Sequence, residues 1–282
     1  MAVTNFGGDE VRYSYDESHI IIVPVPYDAT STYIRGADRG PAAIIEASPA
    51  LEFYDIETGG EAHRRGIFTM PPLESGSDPA VLADAVYSTV KSIFDEQRFP
   101  VLIGGNHTVS IGAFRAASES FEGLTILQLD AHSDLRHEYE GSPLNHACAA
   151  ARARECAPLV QVGIRSMAAE ELPYIDSERI FYAHELWSDK SLYGKALSLL
   201  SENVYITLDL DVFDPSVMPS TGTPEPGGPD YRELMFFLRD VIRSRNVVGF
   251  DVVELCPAPG NKAPDFMAAK IIYQMLSYRF AV

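Results

Sequence analysis

Asp130, His132 and Asp134 stand two residues apart, directly behind an apolar run, Leu124 to Leu129. Along an extended chain, side chains at i, i+2 and i+4 project to one side. Two carboxylates and an imidazole therefore share a face, where with nothing between them they would repel and lose hydration. A divalent cation relieves both costs. Oxygen and imidazole donors suit Mn, Fe, Co, Ni or Zn better than thiol-seeking metals. Asp209 and Asp211 repeat the spacing behind a second β-rich run, Val204-Tyr205-Ile206. The expectation is a two-metal centre around which most of the chain is arranged.

Three further segments bear on that centre. In Gly104-Gly105-Asn106-His107 the glycines allow a sharp turn, leaving His107 at the start of a helix. Alone it would read as a capping or packing histidine; beside the Asp/His clusters it becomes a candidate ligand. Asp214-Pro215 reads as a turn starter. With Asp214 left to that turn, His107, Asp130, His132, Asp134, Asp209 and Asp211 supply two imidazoles and four carboxylates. That set suffices for two cations, which in such sites lie about 3.5–4 Å apart and orient a nucleophile between them. Glu254 ends an apolar strand, an expensive place for an unpaired carboxylate, and a metal or a cationic ligand would satisfy it. Asp251, on the opposite face, reads as a structural partner of a backbone or arginine group. Gly222–Gly228 (Gly-Thr-Pro-Glu-Pro-Gly-Gly) is a turn-rich loop, either an ordinary connection or a substrate-facing one.

The elements needed to position these groups follow from the pattern of short β-rich runs separated by helix-like stretches, the signature of a parallel α/β fold. Strands are expected at Ile20–Val25, Gly66–Thr69, Val101–Gly104, Leu124–Asp130, Leu159–Gly163, Ile180–Tyr182, Val204–Asp209 and Val247–Val253. Helices are expected within Pro41–Tyr54, Pro79–Glu96, Thr108–Ser118, His146–Glu155, Ser188–Ser201, Tyr231–Ser244 and Ala263–Leu276. Ligand sites in such sheets gather outside the carboxyl ends of the strands, where every motif above lies. No composition shift, linker or repeat divides residues 1–282, so a single domain is expected.

Composition narrows the partners. Forty acidic residues against 22 basic ones give a net charge of −18, which repels nucleic acid and anionic membranes and attracts a small cation. Only five of the basic residues are lysine; an acid-rich, lysine-poor chain suits a high-salt cytoplasm. Three scattered cysteines, Cys148, Cys156 and Cys256, read as buried small hydrophobes in a reducing compartment. The first ten residues lack a basic region followed by a long apolar run, which argues against a signal peptide, and no apolar stretch approaches the roughly 20 residues of a membrane span. A cytoplasmic protein is expected.

Taken in order, these segments resemble the ureohydrolase family of arginases and agmatinases. The resemblance begins at Pro26-Tyr27-Asp28 and Arg35–Pro41 and runs through GGNH, DAHSD, DLDVFDP, GTPEPGG and DVVELCP. Asp134–Tyr139 and Ser142–Ala147 look most like bacterial and archaeal agmatinases. The resemblance implies a three-layer α/β/α fold around an eight-stranded, mostly parallel sheet, assembled as homotrimers or homohexamers. It implies two Mn²⁺ per subunit, one held by His107, Asp130, Asp134 and Asp209, the other by His132, Asp130, Asp209 and Asp211. It further implies a proton-shuttling role for His146 and guanidinium binding for Glu254. Two departures stand out: Asn106 replaces the family's usual aspartate, which bears on metal preference, and Pro24 replaces a usual glycine.

The implied reaction is hydrolysis of a guanidinium carbon to urea and an amine, with Asp134 carrying a proton to the leaving amine. Arginine would need partners for its α-carboxylate and α-ammonium groups, and Arg136 and His137 occupy that neighbourhood here. Agmatine is therefore the first choice. N-aminopropylagmatine, arginine, another guanidino compound or formiminoglutamate remain alternatives. A metal-dependent deacylase needs fewer carboxylates than this chain keeps, and a non-catalytic metal-binding regulator would not need so complete a set.

Overall fold

Eight short runs rich in β-branched and apolar residues form the strands of the computed structural model, which describes residues 5–11, 13–74 and 76–281. Met1–Thr4, part of the N-terminal stretch read above, lie outside these. The strands are β1 (Ile20–Val25), β2 (Ile67–Thr69), β3 (Phe99–Gly104), β4 (Leu124–Leu129), β5 (Leu159–Ile164), β6 (Ile180–Tyr182), β7 (Asn203–Asp209) and β8 (Asn246–Val253). Every residue of β1, β3, β4 and β5 is buried, as expected of parallel strands covered on both faces. Among the described residues they make one sheet in the order β2-β1-β3-β8-β7-β4-β5-β6. All pairs are parallel, so the sheet expected to be mostly parallel is wholly so. Pro24 falls beyond Ile22, the last β1 residue paired with β2.

The helices are α1 (Gly40–Ala47), α2 (Pro79–Asp95), α3 (Ser110–Ser120), α4 (Ala149–Cys156), α5 (Ala183–Ser188), α6 (Ser191–Ser198), α7 (Tyr231–Ser244) and α8 (Ala263–Phe280). Alternate side chains along each strand enter two separate cores, because successive Cβ atoms point to opposite faces. Ile20 and Ile22 pack with α1, α7 and α8. Ile21, Val23 and Val25 pack with α2, α3 and α4 on the other face. Helices thus cover both sides of the sheet, giving three layers. No described helix is long and apolar enough to cross a membrane.

Two of the stretches expected to hold helices are helical only in part. The helix within Pro41–Tyr54 stops at Ala47, followed by a single turn over Ser48–Ala50, since Pro49 has no N–H for the Ile45 carbonyl, which accepts from Ser48 Oγ at 2.7 Å instead. The stretch Ser188–Ser201 is not one helix. Asp189 is extended and its Oδ1 accepts the Ser191 N–H at 2.9 Å, so it closes α5 and opens α6, as a short acidic side chain does at a helix start.

The chain order reverses in the middle of the sheet. After β3 the chain skips two strand positions to β4, and β7 and β8 later fill the gap. The four adjacent central strands β3, β8, β7 and β4 therefore point their carboxyl ends at one place, the usual location for a ligand in an open parallel sheet.

Candidate active site

Each of those four strands delivers a functional group. At the end of β3, Gly105 presses so closely on the Tyr27 backbone that any Cβ there would collide with it. Asn106 then caps the next turn, its Oδ1 accepting from the Thr108 N–H at 3.3 Å, and His107 is turned inward and buried. The ring is oriented from behind: Nε2 lies 2.9 Å from Thr207 Oγ1 on β7, and that hydroxyl donates to Asp251 Oδ1 on β8 at 2.6 Å. Asp251 thus finds a threonine, not the backbone or arginine partner expected. The opposite nitrogen, Nδ1, faces Asp130 Oδ2 and Asp134 Oδ2 at 3.2 Å and Asp209 Oδ2 at 3.4 Å. It makes no well-aligned hydrogen bond to any of them.

Beyond β4, Asp130 is fully buried and tied on both oxygens, by Gln128 Nε2 at 2.7 Å and by the His132 N–H at 2.6 Å. His132 Nδ1 meets Asp211 Oδ2 at 2.9 Å and Asp130 Oδ1 at 3.7 Å. Asp209 Oδ1 accepts the Asp211 N–H at 2.8 Å. Asp134 has φ +50°, a left-handed geometry that few non-glycine residues adopt. Glu254, at φ +68°, closes the group from β8: its own N–H donates to the Gly105 carbonyl at 2.7 Å and its Oε1 accepts the His107 N–H at 2.8 Å.

Donor atoms fall into two triads, His107/Asp130/Asp134 and Asp130/His132/Asp211, each with atoms within 4.8 Å of one another and with Asp130 common to both. Asp209 stands beside the first. All six residues expected to ligate metal are therefore brought together. Electrostatics shows the cost of that assembly. Burial first, then the neighbouring Asp211 and Asp134, pushes the Asp130 carboxyl up to about 7. Burial with Asp211 and Asp130 drives Asp209 well above the carboxylate range, and burial lifts Glu254 to about 8. Burial opposes charging His132, but Asp211, Asp130 and Asp134 together outweigh it and raise the ring to about 11. Three buried acids held part-protonated around an unsatisfied imidazole nitrogen describe a site short of positive charge. Divalent metal cations fit that deficit and that donor chemistry.

His132, Asp134, Asp209, Asp211 and Glu254 floor an open cleft of about 310 Å³, lined also by Thr32, Tyr139, His146 and Thr223. His146 packs edge-on to Tyr139, with its Nδ1 buried and unpartnered. Burial lowers its pKa, leaving it a neutral base near pH 7. Arg136 at the rim pairs with Glu170 at 2.9 Å and stacks over Tyr139.

Sequence reasoning missed two supports. Gln161 Nε2 donates to Gln128 Oε1 at 2.7 Å and to the Ser133 carbonyl at 2.8 Å, a buried amide ladder ending on Asp130. Glu171, also buried, accepts from Ser133 Oγ at 2.6 Å and from the Leu135 N–H at 2.8 Å, fixing the segment that carries Asp134. Glutamines inside otherwise apolar strands were the available signal for the first; Glu171 gave none.

The family model described as the arginase family matches residues 18–277. The chain belongs to the arginase family. A relative of this arginase-family chain, the N(1)-aminopropylagmatine ureohydrolase of Synechocystis sp., is 37% identical over 280 residues, covering 95% of this chain and 92% of the relative. The agmatinase of Halalkalibacterium halodurans is 33% identical over 272 residues, covering 94% and 93%. Among solved structures, the agmatine ureohydrolase of Thermoplasma volcanium superposes with a TM-score of 0.89 at 27% identity, covering 99% of this chain and 95% of that one. The arginase-like fold and the ureohydrolase class expected above stand.

Proposed function

We propose that the chain hydrolyses the guanidino group of a linear guanidino amine to urea and the free amine, with two Mn²⁺ per subunit held by His107, Asp130, His132, Asp134, Asp209 and Asp211. The carrying observation is the buried His107 Nδ1, ringed by three carboxylate oxygens at 3.2–3.4 Å without a well-aligned partner. When bound, the metals would supply Lewis-acid charge that lowers the pKa of water enough for hydroxide to exist near neutral pH.

The protein groups divide the remaining work. Glu254 spends Oε1 on the His107 N–H, while Oε2 points toward the Gly222 side of the cleft. That oxygen accepts from the guanidinium N–H groups and places the carbon over the donor cluster, where fixed position counts most. Asp134 lies at the cleft floor and carries a proton to the leaving amine; His146, neutral and wall-bound, exchanges it with solvent.

For the substrate, agmatine was the first choice from sequence. The names carried by relatives favour the longer N(1)-aminopropylagmatine: four at 31–37% identity bear it, while agmatinases stand at 30–34%. A net charge of −18 favours the more cationic substrate as well. We further propose a single domain over residues 1–282, a cytoplasmic setting and assembly as homotrimers or homohexamers, on the family resemblance. The test is urea release after Mn²⁺ loading, at low and high salt, across agmatine, N(1)-aminopropylagmatine, arginine and guanidinobutyrate, with formiminoglutamate followed by formamide. The highest kcat/KM should fall on N(1)-aminopropylagmatine, with agmatine next. Turnover of arginine or formiminoglutamate alone would overturn the substrate assignment, and silence on all five with two ions bound would overturn the enzyme reading.

A further inference from the structure

Arg165, just past β5, is a half-buried guanidinium whose donors all go to backbone carbonyls. Nη1 donates to Gly163 at 3.0 Å and Val212 at 3.1 Å. Nη2 donates to Asp211 at 2.7 Å, Phe213 at 3.3 Å and Glu225 at 2.7 Å. Nε is shared between Glu225 and Pro226 at 3.2 and 3.1 Å. Desolvation lowers its pKa, with Asp211 and Asp130 acting the other way, so its positive charge sits beneath the acidic cluster.

The segments it joins have different duties. Residues 211–213 carry the Asp211 carboxylate that meets His132 at 2.9 Å. Residues 225–226 anchor the loop whose Thr223 lines the cleft. A second observation marks the same junction. A Cβ on Gly228 would strike the Val212 carbonyl and come within 2.7 Å of Arg165 Nη2, so the loop closes against the guanidinium with no side chain between. The Gly227 N–H is held in turn by Asp214 Oδ2 at 2.8 Å.

We propose that Arg165 is a positioning residue that registers the Asp211 half of the metal cluster against the 222–228 substrate loop, preforming both. It lies outside the residues that line the cleft. Because a planar fork of five donors satisfies several carbonyls at fixed angles, lysine would keep the charge and lose the register.

This rests on the reading of the cleft as a ureohydrolase centre, so the test includes readouts that need no substrate and no metal. Arg165→Lys and Arg165→Met would be compared with wild type by Mn²⁺ titration calorimetry, hydrogen exchange of residues 222–228, and steady-state kinetics at saturating Mn²⁺. In both variants one ion should bind as in wild type and the other at least tenfold more weakly. Loop exchange should quicken at least tenfold, and KM should rise at least fivefold with kcat within threefold. Gly228→Ala should raise KM and loop exchange while leaving both ions bound. Unchanged loop exchange in Arg165→Lys, or equal weakening of both ions, would overturn the clamp. If Arg165→Met does not fold, Arg165→Lys decides on the same readouts. Wild-type protein inactive on every guanidino compound would sink the functional reading, while loop exchange would still judge the clamp.

Discussion

Replacing Glu254 by glutamine tests the guanidinium assignment most directly, because the change is isosteric and its structural and chemical consequences separate. Glutamine Oε1 can still accept the His107 N–H, now at 2.8 Å, so the β3 and β8 ends should hold their places. The second carboxylate oxygen becomes an NH₂ donor aimed at a guanidinium, which itself only donates. Losing one partner of a buried, hydrogen-bonded charge pair costs about 2–5 kcal/mol. At 1.36 kcal/mol per tenfold, that is roughly 30- to 5,000-fold in kcat/KM. The variant should keep two Mn²⁺ by elemental analysis and lose activity in a urea-release assay. The metal-free protein gives an independent readout with the opposite sign. The Glu254 carboxyl is raised from 4.5 to about 8 in the fold, so the folded state holds its proton more tightly than the unfolded chain. Below about pH 4.5 both states are protonated and Glu254 costs nothing. From there to about pH 8 the cost of its buried charge grows. In chelator, Glu254→Gln should therefore melt above wild type, by a margin that widens over that interval and then levels off. A variant with full metal and kcat/KM within threefold of wild type would refute the guanidinium role; a flat melting difference across pH would refute the electrostatic account.

Four other outcomes follow from the same geometry. Asp134→Asn should retain most bound Mn²⁺ yet lose about 10²–10⁴-fold in kcat, the range for a positioned proton-transfer group; activity lost only in proportion to metal would reassign Asp134 to ligation alone. Chelation should lower the melting temperature, and Mn²⁺ at a hundredfold excess over Kd should restore about 2.7 kcal/mol, whereas Asp130→Ala, lacking the residue common to both triads, should show no such rise. Gln161→Leu strips the donor from Gln128 and from the Ser133 carbonyl and should cost about 1–3 kcal/mol by urea denaturation; an unchanged midpoint would mean the ladder holds nothing. Burial pushes the Cys148 thiol up to about 12, so almost no thiolate exists at pH 8 and iodoacetamide should spare it until the chain unfolds, as peptide mass mapping would show.

What the sequence disclosed and what it hid divide along a physical line. The donor set was legible because Asp130, His132 and Asp134 are local, and a two-residue spacing on an extended chain already implies a shared face. The strands were legible for a similar reason: residues buried on both faces leave continuous apolar runs such as Ile20–Val25. The supports are not local. Gln128 and Gln161 meet only because β4 and β5 pair in register, Gln128 opposite Gln161. Glu171 reaches the Asp134 segment from 37 positions away in the chain, counted from 171 − 134, and nothing in Ala-Glu-Glu-Leu marks it as buried. Arg165 is hidden more deeply still, because its partners are carbonyl groups, which every residue has and no motif records. His107 lies between these cases. Its place after Gly104-Gly105 made it a candidate, but its ring orientation depends on Thr207 and Asp251 from two other strands. Asn106 shows the same boundary from the other side. As a departure from the family's aspartate it pointed toward the metals, yet its amide donates to Thr30 Oγ1 at 2.7 Å and Ser31 Oγ at 3.1 Å, and Thr32 beside them lines the cleft. A carboxylate there would accept from those hydroxyls where the amide now donates, so each would need a new geometry. Asn106→Asp should therefore disturb KM through the 30–32 segment before it disturbs Mn²⁺ affinity, and a selective loss of metal with unchanged KM would return Asn106 to the metal shell.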